Sequence, residues 1–202
     1  MGRISDAKHR LMDAVIGLIW ENSYGSTTID AICAKAKVKK GSFYYFFDSK
    51  SDLAAVALEA DWLARKPVIE KIFSAEVPPL LRIRRYFAMV YETQSEMKRK
   101  RGRVLGCPLM SLGSEISTQE PRLCATIQSI LQQYEDFFES AIRDGHVQQD
   151  IIAPNAACKA KCLFHFYEGA LAQARLHNDV SLLKDLYENA LDLMGARRAL
   201  AA

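Results

Sequence analysis

Residues 8–53 read KHRLMDAVIGLIWENSYGSTTIDAICAKAKVKKGSFYYFFDSKSDL. The reading of this stretch decides the fold. Leu11, Val15, Leu18 and Ile19 recur at spacings of three and four, which predicts a first helix from about Ser5 to Asn22. Tyr24-Gly25 ends it, with Gly25 a natural stop. Thr27 or Thr28 then caps a second helix, Ile29 to Lys35, that turns Ile29, Ile32 and Cys33 to one side. A short turn at Ala36–Val38 leads to a third helix, Lys39 to about Phe46. Asp48 or Ser49 caps a fourth that leads with Lys50.

Two short helices joined by a tight turn, with lysines and hydroxyls on the second, have the form of a helix-turn-helix. The second helix fits the width of a DNA major groove. Lys39 and Lys40 stand near its N-terminus, where the helix dipole also favours phosphate. Five lysines and one acid between residues 35 and 50 give this stretch a local charge of +4.

Working outward, the chain keeps its helical texture. From residue 53 the predicted helices lengthen, with Leu53, Val56, Ala57 and Ala60 opening the first of them. Turn signals fall at Asn22–Ser26, Val77–Pro79, Arg101–Pro108, Gln119–Pro121, Asp144–Pro154 and Asn178–Ser181. They cut the chain into about nine helices and no strand. The expected fold class is all-α, with a helix-turn-helix domain over residues 1–52 and a larger helical domain over residues 53–202.

Composition agrees. Of 202 residues half are apolar and a quarter charged, enough to bury a core without metal or disulfide and too apolar for a disordered chain. No apolar run approaches 18 residues, and no secretory signal is read at the N-terminus. A cytoplasmic protein with no membrane partner is therefore expected. Five cysteines, at 33, 107, 124, 158 and 162, include no CxxC pair, so free thiols are expected.

The segment TTIDAICAKAKVKKGSFYYFFDSKSDL closely resembles the signature of TetR-family transcriptional repressors. The matching residues are Thr27-Thr28, Val38, Lys40-Gly41-Ser42, Phe43-Tyr44-Tyr45, Phe47, and Ser49-Lys50 with Leu53. Lys37 stands where glycine is usual, and Phe46 where His or Tyr is common. The resemblance implies DNA contacts by Thr28, Lys39, Lys40, Ser42, Tyr44, Tyr45 and Lys50, with Gly41 permitting close backbone approach. It also implies a homodimer that reads a palindromic operator as double-stranded DNA. The dimer would form through two C-terminal helices, Pro154–Leu176 and Val180–Met194, with Gly169, Ala172, Leu186, Ala190 and Leu193 at the interface. A small-molecule inducer, apolar, aromatic or electrophilic, would enter the helical body. Cys107, Phe87, Tyr91, Met110, Tyr134, Phe138 and Phe166 are the ligand-sensing candidates, and for most of the apolar ones a packed core is the better reading.

Cys107 has a reading of its own. It follows Gly106 and precedes Pro108, a residue favoured at the first position of a helix. A thiol at a helix N-terminus has its thiolate stabilised by unpaired N–H groups, and Arg101 and Arg103 stand nearby. That makes a site for electrophiles or oxidants, the alternative being a buried, inert thiol that packs as a small hydrophobe. The stretch GCPLMSLGSEIS is also similar to a branch of the family with a Gly-Cys motif, some of whose members sense electrophiles or small unsaturated compounds. Cys158, Cys162 and His165 share one helix face but lack a fourth ligand, so packing is the better reading and no metal or cofactor is expected. The basic run Lys98–Arg103 reads as a solvated loop.

The chain carries no GxSxG, HExxH or GxxxxGK[ST], so an enzyme is not expected. A cysteine-dependent enzyme and a non-specific helical interaction protein are the alternatives.

Overall fold

Helix capping sets the frame. In the computed structural model, which describes residues 2–196, Thr28 accepts the N–H of Ala31 and so starts the second helix; Ser49 accepts the N–H of Asp52 and starts the fourth. Pro79, Pro108 and Pro121 each open a helix at a position whose N–H has no intrahelical partner. The described residues form nine α-helices: α1 Gly2–Glu21, α2 Ile29–Ala36, α3 Lys40–Phe46, α4 Lys50–Ile72, α5 Pro79–Arg101, α6 Pro108–Ile116, α7 Pro121–Val147, α8 Ala156–His177 and α9 Leu186–Met194. A 3-10 turn at Val180–Leu183 precedes α9. The described residues contain no strand, only an isolated bridge between Ile151 and Ala196. The all-α expectation is met. No described helix is long and apolar enough to cross a membrane.

The chain packs into two compact units. One holds the residues up to Arg65 together with Pro108–Leu131; the other holds Lys66–Cys107 and the chain from Gln132 onward. Helices α4 and α7 thus each run through both. The first unit buries Leu11, Ile32, Phe43, Leu53, Leu112, Ile116, Leu123 and Ile127. In the second, the ring of Tyr86 meets those of Phe73, Phe87, Tyr134, Phe138 and Tyr167 at centroid distances of 5.2 to 6.2 Å.

Two expectations from the turn signals are corrected. The predicted helix Val180–Met194 is a 3-10 turn followed by a separate short helix, because Asp179 caps Ser181 and Lys184 closes the turn onto the Ser181 carbonyl. The turn expected from Asp144 begins later, because α7 continues to Val147. A side chain at 145 would meet Ile151 Cδ1 at 2.7 Å. The glycine is there to let Ile151 pack.

The second unit also buries a charge. Arg82 is 1% exposed, and its guanidinium donates to the carbonyls of Val77 and Ala75 and to Asp144 at 2.6 Å. It therefore closes the loop before α5 onto α7. Arg82→Met should lower the unfolding free energy by about 3 kcal/mol, since it leaves two carbonyls and a carboxylate without their donor. Urea denaturation with an unchanged slope would establish this, and a shift below 1 kcal/mol would contradict it.

Candidate nucleic-acid interface and sensing site

The helix-turn-helix is built around aromatic anchors. Phe43 and Phe47 are buried, and their rings lie 6.2 Å apart on the inner face of α3. Helical geometry then sends Tyr44 and Tyr45 outward, 54% and 72% exposed. Lys39 sits at the N-cap of α3 in extended backbone, makes no side-chain cap bond and is exposed. Lys40 is exposed and pairs with Asp30 at 2.9 Å. Gly41 is open, with no atom within 4 Å of where a side chain would begin. Ser42 is half-buried, and Thr28 is exposed at the head of α2. Six of the seven predicted DNA-contact residues therefore lie along α3 or at the start of α2.

Lys50 is placed differently. Its ammonium donates to the carbonyls of Tyr24 and Thr27, at 2.7 and 2.9 Å, and lies 3.9 Å from the centre of the Tyr24 ring. Burial lowers its pKa. In this structure Lys50 ties α4 to the α1–α2 turn.

That turn is held from a second side by acids that sequence reasoning did not single out for this task. Glu115 of α6 accepts the N–H groups of Tyr24 and Gly25 at 2.8 and 2.6 Å, and the Tyr24 hydroxyl donates to Glu120 at 2.9 Å. Burial, and then the bond to Glu120, push the Tyr24 hydroxyl up to about 12. Gly25 is thus not the helix stop that its position suggests; α1 ends at Glu21.

Lys37 explains its own departure from the family pattern. It is the C-cap of α2 with φ 54°, ψ 47°, and its N–H bonds the Ala34 and Cys33 carbonyls. That left-handed geometry is the reason glycine is usual there. Lys37→Gly should raise stability by about 1 kcal/mol, read from the thermal midpoint, because it relieves a side chain held at positive φ. A loss of stability would overturn this account.

The sensing candidates fall into two groups. Phe87 and Phe138 are 2% and 0% exposed and belong to the packed aromatic cluster, with Tyr134 against Tyr86. Tyr91 and Phe166 are half-buried, and Met110 is exposed. Cys107 is half-buried on a loop fixed by side chains. The Gln94 amide accepts the N–H groups of Leu105 and Gly106 and donates to the Gly106 carbonyl. Arg175 donates to Leu105 at 2.8 Å. Gly106 has φ 66°, and a Cβ there would press on Arg175 and the Leu171 carbonyl at 3.3 Å.

The charged group hydrogen-bonded to the Cys107 thiol is an acid rather than a neighbouring arginine. Glu168 of α8, 7% exposed, accepts from it, and its Oε2 has no partner. Burial pushes the carboxyl up to about 7. Beside it the Tyr86 hydroxyl donates to that of Tyr167 at 3.2 Å, and burial raises both phenols well above their ordinary range. No sequence signal marks Glu168; an acid in HFYEGA reads as a surface residue.

Among the predicted dimer residues, Gly169, Ala172 and Leu193 are exposed. Leu186 and Ala190 are 2% and 0% exposed within the single chain. They are packed core, because the short α9 turns that face inward. Cys158, Cys162 and His165 are exposed along α8, and no group of three residues able to hold a metal ion occurs among the described residues.

A raised carboxyl pKa destabilises the folded state once the group ionises. Relative to Glu168→Gln, the wild-type unfolding free energy should fall by up to about 3 kcal/mol as pH rises from 4.5 through about 7. Urea unfolding of both proteins across that window checks it. Parallel pH curves would refute it.

Comparison with known proteins adds an independent finding. The family model described as bacterial regulatory proteins, tetR family, matches residues 11–57. The tetracyclin repressor-like C-terminal domain matches residues 79–189, more than half of the chain. The chain is similar to the transcriptional regulator AcuR of Cereibacter sphaeroides, at 26% identity over 174 residues, covering 84% of this chain and 77% of that one. It is similar to the HTH-type transcriptional repressor DhaR of Mycobacterium sp. strain GP1, at 24% identity over 176 residues, 85% of this chain and 84% of that one. The crystal structure of the reduced form of E. coli NemR has the same fold, with a TM-score of 0.81 at 19% identity, over 96% of this chain and all of that one.

Proposed function

The chain belongs to the tetR family of bacterial regulatory proteins, a DNA-binding transcriptional regulator, and from that premise we propose that it is a repressor released from its operator by a small molecule. The observation that carries the reading is α3. Its aromatic back is buried while Lys39, Lys40, Tyr44 and Tyr45 stand exposed on one short helix. The printed name of DhaR, a transcriptional repressor, supports the sense of the control.

We assign DNA reading to residues 1–52 and ligand response and pairing to residues 53–202. Two copies place their α3 helices in successive major grooves, roughly 34–36 Å apart, on a palindromic site. The lysines and hydroxyls fix register on phosphate, and base-edge contacts select sequence. The exposed outer face of α8 and α9, with Gly169, Ala172, Leu176 and Leu193, is where the second copy packs.

The inducer acts in the helical body, either without a covalent bond or by modifying Cys107. It shifts α4 so that the two reading helices no longer match one-turn spacing. A coupling of about 1–3 kcal/mol is enough for a 5- to 150-fold change in affinity.

The test is binding of the dimer to the duplex upstream of its own gene, with competitor DNA present. Tyr44→Ala and Lys39→Ala should each weaken binding by about 1–3 kcal/mol with an unchanged thermal midpoint. If both bind as tightly as wild type, α3 is not the reading helix. If wild type binds every duplex alike, the protein is a non-specific binder and the repressor reading fails.

A further inference from the structure

Glu168 is a buried acid without a cation. Acids at 7% exposure are ordinarily paired with a base. The groups that face this one are neutral. Cys107, on the loop before α6, donates its thiol proton to the carboxylate. Tyr86 of α5 and Tyr167 of α8 are close enough for the charge on Glu168 to act on both phenols, and Tyr134 of α7 stands behind Tyr86 at a ring distance of 6.2 Å. Oε2 has no hydrogen-bond partner.

The thiol is as firmly placed as the acid. Gln94 and Arg175 bind the backbone of Leu105 and Gly106, the two residues before it. A nucleophile hydrogen-bonded to a carboxylate has the arrangement of an activated nucleophile and its base. A general base works best when its own pKa lies near the working pH, and burial holds Glu168 at about 7.

We propose that Glu168 is the proton acceptor that makes Cys107 a nucleophile toward soft carbon electrophiles such as α,β-unsaturated carbonyl compounds. The sulfur forms an S–C bond at the β-carbon of the acceptor. The π pair of the C=C bond moves to the α-carbon. The thiol proton passes to the Glu168 carboxylate and from there to the α-carbon, which restores the carboxylate. No oxidant is needed. The product is a thioether, which has no proton to donate, so Glu168 loses its donor and takes a proton from solvent at neutral pH. Alkylation at one sulfur thereby removes a negative charge from the interior. The inference rests on the reading of Cys107 as the sensing residue.

The experiment follows N-ethylmaleimide addition to each cysteine of the intact protein by peptide mass mapping, from pH 5.5 to 8.5. Exposed Cys158 and Cys162 serve as internal references. Their rates give the pH dependence of exposed thiols in the same chain. The Cys107 rate should inflect near 7. In Glu168→Gln the inflection should vanish and the Cys107 rate at pH 7 should drop about tenfold or more, with Cys158 and Cys162 unchanged. Glu168→Asp should keep the inflection. A Cys107 rate that is equal or higher in Glu168→Gln would overturn the proposal, because the acid would then only repel the thiolate. A wild-type Cys107 profile that tracks Cys158 would overturn it too, even if no variant folds. Operator binding by the same alkylated samples separates the two readings. Retained binding with the inflection present refutes sensing and leaves the dyad standing; release without the inflection does the reverse.

Discussion

The segment between α1 and α2 has no regular structure, so its backbone polar groups need partners from elsewhere in the chain. They find them in charged side chains. Glu115 takes the N–H groups of Tyr24 and Gly25 from one side, and Lys50 gives its ammonium protons to the carbonyls of Tyr24 and Thr27 from the other. The Tyr24 ring lies beneath the ammonium and its hydroxyl reaches Glu120. Charge-assisted bonds of this kind are shorter and about twice as strong as neutral ones. The direction in which α2 and α3 leave the turn depends on them. Arg122 bonded to Asp52 at 2.9 Å adds a further tie between α7 and α4 in the same unit.

Local physics was readable from the sequence, and tertiary burial was not. Thr28 and Ser49, each one of two candidates, cap helices, and Pro108 opens its helix, whereas the helix expected from Pro154 starts at Ala156 because Asn155 caps it by accepting the Cys158 N–H. The outward face of α3 follows from the spacing of Phe43 and Phe47. What escaped were charged groups whose position depends on distant partners. Lys50 looks like a free cation in a basic stretch, yet two carbonyls more than 20 residues away claim it. Arg82 and Glu168 are charged residues of a kind expected at the surface, and both are buried. Leu186 and Ala190 form a stripe that fits either a partner or the chain's own core, and only packing decides between them.

At rest the Cys107 thiol donates to Glu168, so the proton lies on sulfur while the carboxylate is charged. A carboxylate beside a thiol disfavours its thiolate, so the proton leaves sulfur as Glu168 takes it up. Burial, the larger influence on the acid, raises its pKa and so readies it for that proton.

The grip of Glu115 on the turn has a consequence for how such proteins diversify. It reads two backbone amides and no side chain of the turn. Any sequence that holds the same backbone path between α1 and α2 presents those amides. The residues that choose a DNA sequence can then drift without disturbing the seat they rest on. The helix-turn-helix is in this sense an interchangeable part, and a lineage can alter the outer faces of α2 and α3 while keeping the acid that seats them.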